Sequence, residues 1–408
     1  MTKIIHTADL HLDSPLVTLA LSSDSLRSAI KIATRAALDR IVDIAIEEGV
    51  AAVLISGDLY DGKQRSMKTA AYLLSAFQRL NVAGIKVFIV RGNHDSESTI
   101  TREIAKPENV HIFDGRASHV LLNESVAIHG ISFRDKHTQE NLLTKFRPVP
   151  DVVNIGMLHT SLSGTVGHDN YAPCSVADFI ASGFDYWALG HIHRRKIYCE
   201  NPLVVMPGIP QGRDMGEHGP KSVTLIHIKK KKLTISERLT STLEFQNKSI
   251  DVADCNSIIE VCDAIIALVR SIDSDTAIVL RLTVIGVTAL YWHIHRDIDL
   301  LQAAAKEAAE ESGSVWIDRL VIKTQMPSER VATNTATYEI AELIAEAAQT
   351  PSLPAEATEI LFEVLSDLPP EIRDHWGGGE TATAETIKQL INEASDWAIA
   401  LMHGARNT

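Results

Sequence analysis

Hydrophobic and polar positions in the first 240 residues follow two alternating patterns. Short runs rich in β-branched residues predict strands at Lys3–Ala8, Ala51–Ser56, Lys86–Val90, Val152–Leu158, Tyr186–Leu189 and Leu203–Met206. Apolar residues at i, i+3 and i+4 spacing predict helices over Ser25–Glu48 and Met67–Leu80. Ser222–Ile228 and Leu233–Leu239 are predicted to pair as a final hairpin. Strands that alternate with helices are typical of an α/β domain with a largely buried sheet.

The pattern changes after Leu243. Strands and helices are then predicted in the order Lys248–Val252, Ser257–Ser271, Ala277–Ile285, Ile298–Ser312 and Val315–Ile322, a small α+β unit suited to a capping domain. Beyond Gln325 the chain is predicted to be helical, and its last helix carries an apolar stripe: Ile387, Leu390, Ile391, Ala394, Ala398 and Leu401. The predicted domains are therefore residues 1–243, 244–326 and 327–408.

Composition limits the class of protein. Apolar residues make up 45% of the 408 and charged residues 22%, which are globular values. No run approaches the ~18 apolar residues of a membrane span, so no membrane association is expected. Four cysteines without a CxxC pair argue against a disulfide scaffold or a thiolate zinc site, and we expect a reducing cytoplasm. The net charge, 39 − 52 = −13, argues against a protein that coats nucleic acid with its whole surface.

Five polar clusters each follow a predicted strand directly. They are Asp9 with His11; Gly57, Asp58 and Asp61; Gly92, Asn93, His94 and Asp95; His159; and Gly190, His191 and His193. In open α/β sheets, ligands bind at the carboxyl ends of strands, so these side chains should meet at one rim. Carboxylate, imidazole and amide donors suit a pair of manganese, iron or zinc ions, which would share one bridging carboxylate.

A second HxH motif provides an internal comparison. His293 and His295 have no preceding glycine turn and no acidic neighbours, so we predict that they are structural. Any one of the five clusters would be weak evidence for a metal by itself. Their occurrence in order, each at a strand end, is what makes the metal interpretation strong.

The ordered set D-x-H, G-D-x-x-D, G-N-H-D, H and G-H-x-H resembles the calcineurin-like metallophosphoesterase superfamily across residues 1–240. Residues 7–15, 170–174 and 207–213, together with 216–217 and 219–220, further resemble the SbcD/YhaO-like DNA repair exonucleases of bacteria. The resemblance implies an α/β fold, in which a β-sandwich flanked by helices is followed by a small α+β capping domain and a helical C-terminal tail.

The resemblance also implies roles for the motif residues. Four residues would hold a first metal: Asp9, His11, Asp58 and His193. Four would hold a second, with Asp58 as the bridge: Asp58, Asn93, His159 and His191. His94 would act on the scissile phosphate, and Asp61 would orient it. Asp95 is expected only to fix its loop.

Basic residues near the last motif are candidates for DNA contacts. Arg194, Arg195 and Lys196 follow His193 directly, and Arg213 lies in a stretch that resembles the exonucleases. Such residues would contact phosphates and supply affinity without sequence readout. For the first three, simple surface solubility explains the charge equally well. Lys229–Lys232 is better explained as a charged hairpin that protects an edge strand.

The residues alone predict a two-metal phosphoesterase. The resemblance further implies a bacterial, nucleoid-associated DNA repair nuclease, an exonuclease that depends on two divalent ions, most readily manganese. One alternative is a phosphodiesterase or phosphatase that acts on a small nucleotide or a phosphoprotein. Another is a non-catalytic scaffold of the retromer type. The resemblance implies an SbcC-like coiled-coil ATPase as partner, docked through the last helix; packing of that helix on its own chain or on a second copy, as a homodimer, is the alternative.

Overall fold

The computed structural model describes residues 1–14, 24–60, 67–93, 95, 107–133, 140–162, 174–326, 343–344, 346–347, 350, 352–366, 387–388, 390–392, 394–395 and 398. Two predicted catalytic residues, Asp61 and His94, lie outside this set. The described chain separates into two compact units. The first comprises residues 1–246 and 274–279, and the second comprises residues 247–273 together with the chain from Leu280 onward.

The first of two sheets in the first unit has six strands. Its spatial order is β12 (Lys232–Leu239), β11 (Ser222–Lys229), β1 (Thr2–Thr7), β2 (Ala52–Ser56), β3 (Lys86–Val90) and β4 (Val110–Ile112). Strands β1 to β4 are parallel, whereas β11 and β12 form an antiparallel hairpin at one edge. The carboxyl ends of β1, β2 and β3 therefore lie side by side.

A second six-stranded sheet has a parallel centre of its own. Its order is β5 (Ser118–Asn123), β6 (Val126–Gly130), β7 (Val153–His159), β8 (Tyr186–Gly190), β10 (Leu203–Met206) and β9 (Lys196–Glu200). The four central strands are parallel, and the edge strands β5 and β9 are antiparallel to their neighbours.

Three apolar layers hold the first unit together. The middle layer lies between the sheets and includes Ile4 and Phe88 from one sheet and Ile155 from the other. An outer layer packs α1 (Asp24–Glu47) and α2 (Met67–Val82) on the first sheet. The other outer layer, on the second sheet, is centred on Trp187 and includes Phe179 of the short helix α3 (Val176–Ala181). The predicted α/β fold with sheets flanked by helices is confirmed.

The strands and helices predicted for residues 1–240 agree with the structure to within one or two residues, but four strands were missed. β4 has only three residues, which is too short for a periodic signal. β5 and β9 are edge strands with mostly exposed side chains, and β6 was missed with its hairpin partner β5. An edge strand buries little on either face, so its sequence lacks the alternation that identifies a strand.

The second unit contains most of a three-stranded sheet, β13 (Leu243–Asp251), β14 (Ala277–Val287) and β15 (Val315–Gln325). The first residues of β13, up to Gln246, and of β14, up to Val279, belong to the first unit. The helices of the second unit are α4 (Ile258–Arg270), α5 (Tyr291–Arg296), α6 (Ile298–Ser312) and α7 (Ser352–Ser366). His293 and His295 both lie on α5. The predicted limits of a capping domain and a C-terminal region remain predictions. No helix among the described residues is long and apolar enough to cross a membrane.

Candidate metal centre

The polar clusters that follow the central strands meet where the two sheets lie face to face. Backbone hydrogen bonds tie the first clusters together, since Asp9 N donates to the Gly57 carbonyl (2.9 Å) and His11 N to that of Asp58 (3.1 Å). The first sheet is joined to the second because both carboxylate oxygens of Asp9 accept the backbone N–H of His191, at 3.1 and 3.0 Å. The five strand ends thus form one rim.

Two groups of metal-ligand atoms lie at this rim. In each group, one donor atom from every residue lies within 4.8 Å of the others: Asp9, His11 and His193; and Asp58, His159 and His191. Asp58 lies between the groups, because its Oδ2 is 3.8 Å from His11 Nε2 and 3.5 Å from His159 Nε2. The position of Asp58 is the one that a bridging carboxylate requires, and the bridging role itself remains a prediction.

The orientation of His159 brings Asn93 into the second group. His159 Nδ1 lies 2.9 Å from the carbonyl oxygen of Ser56 and donates its hydrogen there. In the neutral imidazole the Nε2 lone pair then faces Asn93 Oδ1 at 3.0 Å, with Asp58 Oδ2 also close. Lone pairs that converge in this way repel one another unless a cation lies between them, so the donor set fits a metal ion.

Charge at the rim leads to the same conclusion. Asp9 is fully buried, and its pKa is raised well above the ordinary value by burial and by the nearby carboxylate of Asp58. The N–H of His191 opposes this effect on the pKa of Asp9. Two adjacent buried carboxylates need compensating positive charge. Divalent cations with oxygen and imidazole ligands supply it.

The backbone at the rim is held in an uncommon conformation. Four non-glycine residues have positive φ: Asp9 (53°), His11 (40°), Asp58 (52°) and His191 (106°). Such strain is typical of functional sites, where the surrounding fold imposes it. Gly57 has φ of 97°, and a Cβ atom there would overlap the imidazole of His159. A glycine is therefore required for the β2 loop to approach β7.

Asp95 joins two of the ligand loops. Its buried carboxylate accepts the backbone N–H groups of Leu59 (3.0 and 3.2 Å), Tyr60 (3.3 Å) and Gly92 (3.2 Å). Burial and the neighbouring Asp58 raise the pKa of Asp95 to about 7. Its contacts extend beyond its own turn, since they hold the loop that carries Asp58 against the loop that carries Asn93.

The basic residues predicted to contact DNA differ in their surroundings. Arg194 and Lys196 are exposed, and Lys196 Nζ lies 4.8 Å from the centre of the Tyr198 ring. Arg195 is held by Glu237 (2.8 Å) and Thr224 (2.6 Å). The fourth residue, Arg213, is directed inward, with its Nη2 3.0 Å from Glu217 Oε1 and 3.1 Å from His193 Nδ1. A DNA contact remains a prediction for all four residues.

Glu217 belongs to the site, although the sequence analysis did not identify it as a site residue. It lies in a 3₁₀ turn (Met215–Glu217), 24 residues after His193, and its Oε1 is 2.6 Å from His193 Nδ1. Burial alone raises the pKa of Glu217, but hydrogen bonds from His193 and Arg213 outweigh burial and lower it to about 2. The only sequence signal was its place in a stretch that resembles the exonucleases.

Comparison with known proteins gives matches over both units. The calcineurin-like phosphoesterase family matches residues 2–195, and the middle domain of metallophosphoesterase YhaO matches residues 245–325. The chain is 33% identical over 335 residues to the uncharacterized metallophosphoesterase YhaO of Bacillus subtilis (strain 168), which covers 79% of this chain and 81% of that one.

More distant relatives match about half of the chain. The DNA double-strand break repair protein Mre11 of Sulfurisphaera tokodaii is 25% identical over 204 residues, or 48% of this chain and 50% of that one. The chain thus spans about half the length of that relative. Among solved structures, a dimetal phosphatase from Danio rerio is 10% identical with a TM-score of 0.37, over 59% of this chain and 96% of that one.

Proposed function

The chain belongs to the calcineurin-like metallophosphoesterases, and from this premise we propose that it is a DNA repair nuclease that hydrolyses phosphodiester bonds with two divalent metal ions. The family is one of hydrolases with a dinuclear metal centre. The observation that carries the proposal is the position of Asp58 between the two donor groups. That arrangement suits a metal pair that acts on one phosphate.

Two features favour DNA as the substrate. Four relatives are named DNA double-strand break repair protein Mre11, although the match covers only about half of the length of each, 47% to 51%. Arg194 and Lys196 are exposed within three residues of His193 and could contact a long anionic substrate. We propose exonucleolytic cleavage because the sequence resembles that of DNA repair exonucleases.

The chain's own residues would divide the work of catalysis. Asp9, His11 and His193 would hold one ion and Asn93, His159 and His191 the other, with Asp58 shared. When bound, the ions would lower the pKa of a water molecule and offset the charge of the phosphate oxygens. His94, next to Asn93, would hydrogen-bond the phosphate and protonate the leaving oxygen, with Asp61 orienting its ring. Manganese is our choice because it suits carboxylate, amide and imidazole donors.

The experiment is a cleavage assay with purified protein. End-labelled duplex and hairpin DNA should be degraded in Mn²⁺ and left intact in a chelator. A linear duplex should also inhibit hydrolysis of a small chromogenic phosphodiester competitively. Hydrolysis of the small ester without any effect of DNA would favour a small-nucleotide or phosphoprotein enzyme. Absence of Mn²⁺ binding would favour a non-catalytic scaffold.

We further propose a coiled-coil ATPase of the SbcC type as partner, in the bacterial cytoplasm close to the nucleoid. The docking element would be the last predicted helix, in which Ile387 is buried and Leu390 is 40% exposed. Deletion of residues 380–408 should leave Mn²⁺-dependent hydrolysis of a small ester intact and abolish co-purification with the ATPase. An unfolded truncation, or loss of a dimer, would instead favour packing of this helix on its own chain or on a second copy.

A further inference from the structure

Glu217, Arg213 and His193 form a hydrogen-bonded chain that leads into the first donor group. The Nδ1–Oε1 distance of 2.6 Å between His193 and Glu217 is that of a strong, charge-assisted hydrogen bond. Glu217 is itself fixed, because its Oε2 accepts the backbone N–H of Arg213 at 2.8 Å and its Oε1 accepts Arg213 Nη2 at 3.0 Å. The side chain of Glu217 is only 13% exposed, so water competes little for these bonds.

This contact determines which nitrogen of His193 carries the proton. A carboxylate can only accept, so the 2.6 Å contact with Glu217 requires Nδ1 to be the donor. Arg213 Nη2 can only donate, and its 3.1 Å approach to the same Nδ1 is the longer contact, so the bond to Glu217 decides the tautomer and the neutral ring carries its lone pair on Nε2. That Nε2 lies 3.2 Å from His11 Nε2, inside the group formed with Asp9. Glu217 therefore favours the one tautomer of His193 that can bind a metal ion there.

The second donor group differs at His159, whose Nδ1 has a carboxylate oxygen, Asp9 Oδ1, only at 4.0 Å. His159 Nδ1 donates to a backbone carbonyl, that of Ser56, at 2.9 Å. A carboxylate partner makes an imidazole a stronger ligand than a neutral carbonyl does. The two groups should therefore differ in their dependence on neighbouring side chains: only the group with His193 should respond when Glu217 is changed.

We propose that Glu217 is a positioning residue that holds His193 as the Nδ1–H tautomer for the first metal ion, and that Arg213 fixes Glu217 in place. Arg213 then serves the metal centre and not the substrate. The proposal concerns metal binding alone, so it holds for any phosphoester substrate and can fail independently of the proposed nuclease activity.

Calorimetric titration of the metal-free full chain with Mn²⁺ tests the proposal. Glu217→Ala should weaken one of the two sites by about 10- to 100-fold and leave the other unchanged. Glu217→Gln should weaken the same site less, since its amide oxygen can still accept from Nδ1. Glu237→Gln is the matched control, because Glu237 pairs with Arg195 and is 55% exposed. Its two affinities should equal those of the parent.

A second measurement keeps the test independent of folding effects. Long-range ¹H–¹⁵N spectra of metal-free protein should report His193 as the Nδ1–H tautomer in the parent and a mixture of tautomers in Glu217→Gln. Arg213→Met should cause a smaller shift in the same direction. Equal losses at both sites would assign Glu217 a merely structural role and overturn the proposal. Unchanged affinities in Glu217→Ala, or an unchanged tautomer in Glu217→Gln, would also overturn it.

Discussion

Both carboxylate oxygens of Asp95 lie within hydrogen-bonding distance of the backbone N–H of Leu59, at 3.0 and 3.2 Å. Leu59 directly follows Asp58, and Asp95 lies two residues after Asn93. This contact therefore links the loops that carry two ligand candidates of the second donor group. The positions of Asp58 and Asn93 therefore depend on the carboxylate of Asp95, which is not itself a predicted metal ligand.

Asp95→Asn should weaken Mn²⁺ binding. The amide offers one acceptor oxygen in place of two, and its NH₂ group would face the N–H groups that the carboxylate now accepts. We expect about 10- to 100-fold lower affinity, as for other residues that support metal ligands. Calorimetry should measure it. Asp114→Asn is the control, because Asp114 is exposed and accepts a backbone N–H in a turn. Parental affinity in Asp95→Asn would refute the linking role.

Asp58→Asn and Asp9→Asn should differ in their effect on metal stoichiometry. Asp58 Oδ2 faces a histidine of each group, at 3.8 and 3.5 Å, so its replacement should weaken both sites. Asp9 belongs to one group, and its replacement should weaken chiefly that site. Manganese titration of both variants beside the parent distinguishes the two cases. If both variants lost the same number of bound ions, the prediction that Asp58 bridges the two ions and Asp9 does not would be contradicted.

His94→Ala should remove turnover and leave metal binding intact. The residue lies between Asn93 and Asp95 in sequence, and its predicted role is on the phosphate and not on the ions. Loss of a general acid costs about 10²- to 10⁴-fold in rate. Elemental analysis and the rate on a small phosphodiester should be measured on the same sample, with His119→Ala, an exposed histidine, as control. Parallel loss of metal and rate would make His94 a ligand.

The central strands and the rim could be predicted from sequence because their signals are local. A buried parallel strand has a continuous apolar sequence. Here each such sequence is followed, within four residues, by a glycine or a polar ligand candidate. If five such strands belong to one fold, their carboxyl ends meet at one rim, and Asp9 and His191 are then expected to lie close together. The fold class and the sequence positions of the ligand candidates are therefore encoded in short stretches of the chain.

The role of Glu217 could not be predicted in the same way. Its contact with His193 spans 24 residues and depends on how the loop around Arg213 folds back. No periodicity encodes such a contact. Nor could sequence distinguish Arg194 from Arg195, which are adjacent and chemically identical. Only the structure reveals that Arg195 is held by Glu237 while Arg194 is exposed.

Arg194→Glu should reduce DNA cleavage and spare hydrolysis of a small phosphodiester. Arg194 is exposed beside His193, where a long substrate can reach it and a short one need not. Removal of one phosphate contact should lower the slope of log affinity against log salt by about 1. The measurement is DNA binding and cleavage across a salt series.

Lys232→Glu is the matched control for Arg194→Glu. Lys232 is an exposed cation on the β11–β12 hairpin. Ile228, near the turn of that hairpin, pairs with Thr2 at the start of β1, so the turn lies at the opposite end of β1 from Asp9. The DNA affinity of Lys232→Glu should match that of the parent. If Arg194→Glu slowed both substrates equally, Arg194 would support the metal loop and would not hold DNA.

His6 should make the first unit sensitive to acid. Its ring is fully buried between the sheets, where Nε2 donates to the Leu189 carbonyl (3.0 Å) and Nδ1 accepts from Tyr186 Oη (2.9 Å). Burial lowers the pKa of His6 from 6.5 to about 3, although the hydrogen bond to Leu189 acts in the opposite direction. The folded state therefore keeps His6 neutral at pH values where the unfolded chain binds a proton.

The sign of the pH effect follows from this difference. Between pH 6.5 and about 3 the unfolded state binds more protons at His6, so the free energy of unfolding must fall as the pH falls. At pH 5 the loss attributable to His6 is about 2 kcal/mol. Urea unfolding of metal-free protein from pH 7 to 4 should measure it. His6→Gln should reduce the slope by close to one proton, whereas His119→Gln should change it far less, because the exposed His119 acts only as the smallest of the causes that shift the pKa of its neighbour His129. An unaltered slope in His6→Gln would mean that His6 is protonated in the folded state.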